Sequence, residues 1–87
     1  MTEISELLER VKAARGYSNA LDIEIDVALF KPDGRHISVR PNAAKTKLVY
    51  IKRTGGTDTF LAHDWTISQA RRDEAIRLLT ALQETQK

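Results

Sequence analysis

The sequence predicts an α+β domain of order α-α-β-β-β-α, with a three-stranded antiparallel sheet covered by helices, and three observations carry that prediction. Residues 3–15 and 67–84 repeat apolar side chains at the three-four spacing of an amphipathic helix. Between them lie three runs rich in β-branched and aromatic residues, 36–40, 47–53 and 58–63. Turn chemistry at Pro41-Asn42 and Gly55-Gly56 separates those runs, as in a meander. Three strands are not stable alone, so the flanking helices are the expected cover.

The 87 residues suit a single domain, 1–87. A hydrophobic content of 41% and a charged content of 30% mark a folded domain rather than a disordered one. Cysteine is absent, which excludes disulfides, thiolate metal sites and cysteine nucleophiles. No apolar run approaches the roughly 20 residues of a membrane span. The acidic Met1-Thr-Glu-Ile-Ser-Glu start lacks the basic region of a signal peptide, so a cytoplasmic location is expected.

In the first helix, Ile4, Leu7, Leu8, Val11 and Ala14 line one face. Thr2 is placed to cap its start and Gly16 to end it. Residues 20–30 carry two patterns. From Leu21 to Val27 apolar and acidic residues alternate, as in a strand, and Lys31-Pro-Asp-Gly34 would then turn a hairpin. Yet Leu21, Ile25, Ala28 and Leu29 also form a helical stripe, and Asn19 with Asp22 has capping-box spacing.

Leu7-Leu-Glu-Arg-Val-Lys-Ala-Ala-Arg-Gly16, followed by Leu21-Asp-Ile-Glu-Ile-Asp-Val-Ala-Leu29, resembles the opening of the phage ABA sandwich family. Asp64-Trp-Thr-Ile-Ser68 leading into Ala75-Ile-Arg-Leu-Leu79 is similar to that family's close. The resemblance covers the first third and the last quarter of the chain, and departs in the basic middle and at residues 69–74. It implies a helix for residues 19–30, a helical layer on each side of the sheet, and a phage or prophage origin in a bacterial cell. It implies no chemistry. Residues 19–30 are accordingly expected to be helical, with the strand as the alternative.

A two-residue loop at Gly55-Gly56 would place Arg53 opposite Asp58, Ile51 opposite Phe60 and Tyr50 opposite Leu61. The last helix is expected to start on a Thr66–Gln69 capping box and to bury Ala75, Leu78, Leu79 and Leu82, with an Asp73–Arg77 pair on its exposed side.

Charge is uneven along the chain. Residues 31–57 hold seven basic and one acidic side chain, whereas the whole chain has a net charge of only +2. Arg35, Arg40, Lys45, Lys47, Lys52 and Arg53 are therefore candidate nucleic-acid contacts; the plainer reading is that they protect sheet edges. Tyr50 and Trp65 are candidate partner anchors, although an aromatic at a strand–helix junction more often plugs the core. His63 and Asp64 are adjacent and would point to opposite faces of a strand, so no dyad is expected. Two histidines without ligand spacing give no metal site, and no cofactor is expected. An enzyme is not expected. The leading expectation is a non-enzymatic accessory protein that binds a protein partner, and the alternative is nucleic acid bound through residues 31–53.

Overall fold

The computed structural model describes residues 4–85. Three helices and three strands follow in the expected order: α1 (Ile4–Ala13), α2 (Asn19–Leu29), β1 (His36–Pro41), β2 (Leu48–Lys52), β3 (Thr57–Phe60) and α3 (Gln69–Thr85). The strands form one antiparallel sheet in the order β1-β2-β3.

Helix α1 buries Leu7, Leu8 and Val11, the stripe its spacing predicts. It ends earlier than expected. Gly16 is not in the left-handed region; instead Arg15 Nη1 donates to the Lys12, Ala13 and Ala14 carbonyls at 3.3 to 3.5 Å. The proposed Thr2 cap lies outside the described residues.

Residues 19–29 are helical. Ser18, not Asn19, is the N-cap: its hydroxyl accepts from Leu21 N at 3.2 Å. The strand alternative fails because its polar positions are not all solvent-facing. Asp22 and Asp26, four residues apart on one helix face, are 0% and 8% exposed. Their carboxylates clamp the segment that enters α3.

The core is helical. Leu7, Leu8, Val11, Leu21, Ile25, Ala75 and Leu79 pack with Trp65, and Leu78 and Ile76 pack against them. Among the described residues Leu48 is the one fully buried strand residue, and it lies outside that cluster.

Helix α2 packs against the β1 side of the sheet, and Phe30, just after α2, sits 6.0 Å from Tyr50 ring to ring. Phe30 thus lies on the face of Leu48 and Tyr50, whose β3 side stays open at Phe60. On the opposite face Ser38, Arg40, Thr57 and Thr59 are exposed, while Val49 and Ile51 are half-buried. A helical layer on each side of the sheet is therefore not what the structure shows. Three helices that bury one another in a common core leave none to cover the second face.

The β2–β3 register corrects the expected one. Leu48 pairs with Phe60, Val49 with Thr59, Tyr50 with Asp58 and Ile51 with Thr57. Lys52 N donates to Gly56 O at 2.8 Å and Gly55 N donates to Lys52 O at 3.0 Å, so Arg53-Thr54-Gly55 forms a three-residue loop. The odd shift moves Phe60 onto the face of Leu48 and Tyr50. It also ends β3 at Phe60, so 61–63 lie outside the ladder. In β1 a bulge at Ile37 separates the His36–Lys52 pair from the Ser38–Ile51 pair.

Helix α3 begins on Ser68, whose hydroxyl accepts from Arg71 N at 3.2 Å, rather than on Thr66. Asp73 accepts from Gln69 Nε2 at 2.8 Å, in place of the expected Arg77 pair.

Candidate binding surface

The six candidate cations fall into two groups at opposite ends of the sheet. Arg35, Lys52 and Arg53 meet where β1 begins and the β2–β3 loop turns. Arg40, Lys45 and Lys47 lie at the far end, around the β1–β2 loop. Strand β2, five residues long, separates them by about 16 Å at 3.3 Å per residue.

The β1–β2 loop is organised by Asn42. Its Oδ1 accepts from Thr46 N at 2.8 Å and from Lys47 N at 3.1 Å. Lys45 sits in the left-handed region at φ 58°, where a non-glycine residue is uncommon. Asn19 Nδ2 donates to Thr46 O at 3.1 Å and ties this loop to the start of α2.

The other end of the sheet is shaped by Asp33 and Asp58. Asp33 Oδ1 accepts from Arg35 N and His36 N, both at 2.8 Å, and these backbone bonds hold its carboxyl below the usual range. Asp58 contacts His36 Nε2 at 2.9 Å and Lys52 Nζ at 3.4 Å. His36 first, then Lys52, keeps the Asp58 carboxyl below the usual range. The expected Arg53–Asp58 pair is replaced by this arrangement, because the longer loop places Tyr50 rather than Arg53 opposite Asp58.

Past that pair, on the same face, His36, Tyr50, Phe60, Leu61 and His63 line a concavity of about 320 Å³. Tyr50 packs edge-on to Phe60 at 5.7 Å and tilted to His36 at 5.2 Å. Burial, and secondarily the Asp26 charge, raises the Tyr50 hydroxyl above its ordinary value. Phe60 and Leu61 remain 52% and 72% exposed.

Asp26 holds the wall of that concavity. Its carboxylate accepts from His63 N at 2.7 Å and from Trp65 Nε1 at 2.9 Å, and contacts His63 Nδ1 at 3.0 Å. One turn earlier, Asp22 Oδ1 accepts from Thr66 N at 2.8 Å. Thr66 Oγ1 in turn accepts from Ser18 N at 2.7 Å. Burial is the main cause that raises the Asp22 carboxyl above its ordinary value, against the hydrogen bonds from Thr66.

Of the two aromatic candidates, Tyr50 lines the concavity, while Trp65 is 8% exposed and plugs the helical core. Arg71 lies over the Trp65 ring, 4.8 Å from its centroid. His63 and Asp64 form no dyad; His63 is oriented by Asp26, 37 residues away. No group of three or more metal-ligating side chains is present among the described residues. The sequence reading puts Leu61 and His63 on the face of Tyr50 but misses Phe60 and His36, because the assumed two-residue loop places Phe60 on the opposite face from Tyr50.

In comparisons with known proteins the chain matches no family model, no curated protein and no solved structure.

Proposed function

We propose that this chain is a small non-enzymatic accessory protein, of the kind that phages and prophages carry, which acts by binding a protein partner through the concavity of Tyr50, Phe60 and Leu61. The single observation that supports this reading is the exposure of Phe60 and Leu61, 52% and 72%, beside a concavity floored by Tyr50. Large apolar side chains left in water at the rim of an aromatic pocket gain from burial, by about 1.5–3 kcal/mol for each side chain fully covered. An apolar anchor entering beside Tyr50, with His36 and His63 at its edge, has the form of an interface hot spot. The split of the six cations weakens the alternative of a continuous nucleic-acid track, which needs charge along one path.

The test is capture from a nuclease-treated bacterial lysate by the wild type and by Phe60→Ser/Leu61→Ser, with proteins quantified by mass spectrometry. We expect a protein retained by the wild type and lost from the variant, at an unchanged melting temperature. Equal recovery by both would remove the concavity as the binding surface, and recovery that depends on omitting nuclease would favour nucleic acid.

A further inference from the structure

The end of the sheet opposite the β1–β2 loop carries a second concavity, separate from the partner surface proposed above. It is an open depression of about 520 Å³, lined by Gly34, Arg35, Lys52, Arg53, Thr54 and Asp58. Arg53 N donates to Arg35 O at 3.0 Å, so the ladder continues past β1 and fixes the two arginines side by side. Arg53 Nε donates to the Asp33 carbonyl at 2.9 Å. That bond orients the guanidinium and uses none of its terminal nitrogens. Neither those nitrogens nor the Arg35 guanidinium has a hydrogen-bond or ion-pair partner among the described residues.

Two guanidinium groups whose terminal nitrogens have no partner among the described residues, on two residues that line one hollow, suit an oxyanion with several acceptor oxygens, because each planar fork can grip two of them. Lys52 adds a third positive charge, shared with Asp58 at 3.4 Å. One oxygen of the neighbouring Asp33 carboxylate, Oδ1, accepts from two backbone N–H groups of its own turn, and no salt bridge joins that carboxylate to Arg35 or Arg53. The hollow is much larger than the roughly 30 Å³ of a water molecule and has room for more than a small inorganic ion. Asp58 is an acceptor in the same wall, and each carboxylate oxygen has a second lone-pair site beyond its His36 or Lys52 contact. An anion gains nothing from a carboxylate, whereas a hydroxyl beside the anion does.

We propose that this concavity is a binding site for a sugar phosphate, with Arg35 and Arg53 on the phosphoryl oxygens and Asp58 on a sugar hydroxyl. The phosphate ester is either a free small molecule or a nucleotide unit of a strand.

The site is tested by following the backbone amides of Arg35, Lys52, Arg53 and Thr54 by NMR during titration with ribose 5-phosphate, inorganic phosphate and ribose. Ribose 5-phosphate is expected to shift all four amides, and ribose none. Arg35→Ser/Arg53→Ser should weaken ribose 5-phosphate at least tenfold. Arg35→Lys/Arg53→Lys, which keeps the charge but removes the forks, should retain part of the binding. Lys45→Ser/Lys47→Ser, at the other end of the sheet, and Phe60→Ser/Leu61→Ser should leave it unchanged. Asp58→Asn should weaken ribose 5-phosphate while leaving inorganic phosphate equal or stronger. A 5′-phosphorylated oligonucleotide that binds where its unphosphorylated form does not assigns the site to strand ends. Binding of both assigns it to internal phosphates, and binding of neither to a free sugar phosphate. The proposal is overturned if ribose 5-phosphate shifts none of the amides, if ribose shifts them equally, or if Lys45→Ser/Lys47→Ser loses as much as the arginine variant. A uniform effect of Asp58→Asn on both ligands removes the hydroxyl contact.

Discussion

At the scale of single residues, Asp22 and Asp26 do the most to place the surfaces described. Both sit on the buried side of α2, and both reach the same short segment, 63–66. Asp26 orients His63 and satisfies the indole of a core tryptophan; a buried Trp N–H left without an acceptor would be costly. Asp22 has a different balance. One oxygen accepts from Thr66, the other has no protein partner, and burial raises its carboxyl above the ordinary value of 3.8. A carboxyl whose folded value is raised holds its proton more tightly in the native state. Its contribution to stability is therefore greatest at low pH and declines as pH rises from its ordinary value through its folded one. Asp22→Asn keeps an acceptor for Thr66 N and removes the charge. Urea midpoints of the two proteins, measured from acid to neutral pH, should diverge in favour of Asn as pH rises. Parallel curves would show that the Asp22 charge is not disfavoured by its surroundings.

At the scale of elements, the β2–β3 hairpin decides which side chains share a surface. Its loop needs one residue at positive φ, and Gly55 supplies it at 99°. Gly56 needs none, and a Cβ there would meet only Lys52 Cδ, at an ordinary 3.7 Å. Gly55→Ala should therefore cost about 1–3 kcal/mol through backbone strain. Gly56→Ala should stay within about 0.5 kcal/mol. Thermal melts of the two variants check this, and equal losses would point to the two-residue loop and its different register. The strands themselves were legible from composition, whereas the loop was not. Two adjacent glycines signal a turn, but which of them takes positive φ depends on the twist and side-chain packing of the strands that meet there.

At the scale of the molecule, stability and function occupy different regions. The helices and Trp65 form the core, while the sheet projects from it with one face open to water. Leu79→Ala, at a fully buried position in α3, should cost about 2–5 kcal/mol and unfold the sheet with the helices. Val49→Thr, on the open face, should change stability by no more than about 1 kcal/mol, the span of strand preferences. Chemical denaturation followed by both helical and Tyr50 signals checks the pair. A sheet signal that survives loss of the helices would make the sheet an independent unit. No helix of the described residues is long and apolar enough to cross a membrane.

The sequence by itself determined the α-α-β-β-β-α order, the buried stripe of α1, the buried Ala75 and Leu79 of α3 (Leu78 and Leu82, expected with them, are half-buried) and the basic character of the middle third. Those depend on periodicity and composition, which are local. Tertiary structure decided the rest. It made Asp22 and Asp26 inward clamps, since only the return of residues 63–66 against α2 gives two acidic side chains a reason to be buried. It divided the basic block between two ends of a sheet, because antiparallel pairing separates cations that are near in sequence. It joined Tyr50, Phe60 and Leu61 beside His36 and His63, because a three-residue loop rather than a two-residue one set the register. Each of these outcomes depends on contacts between segments distant in sequence, and no local pattern encodes them.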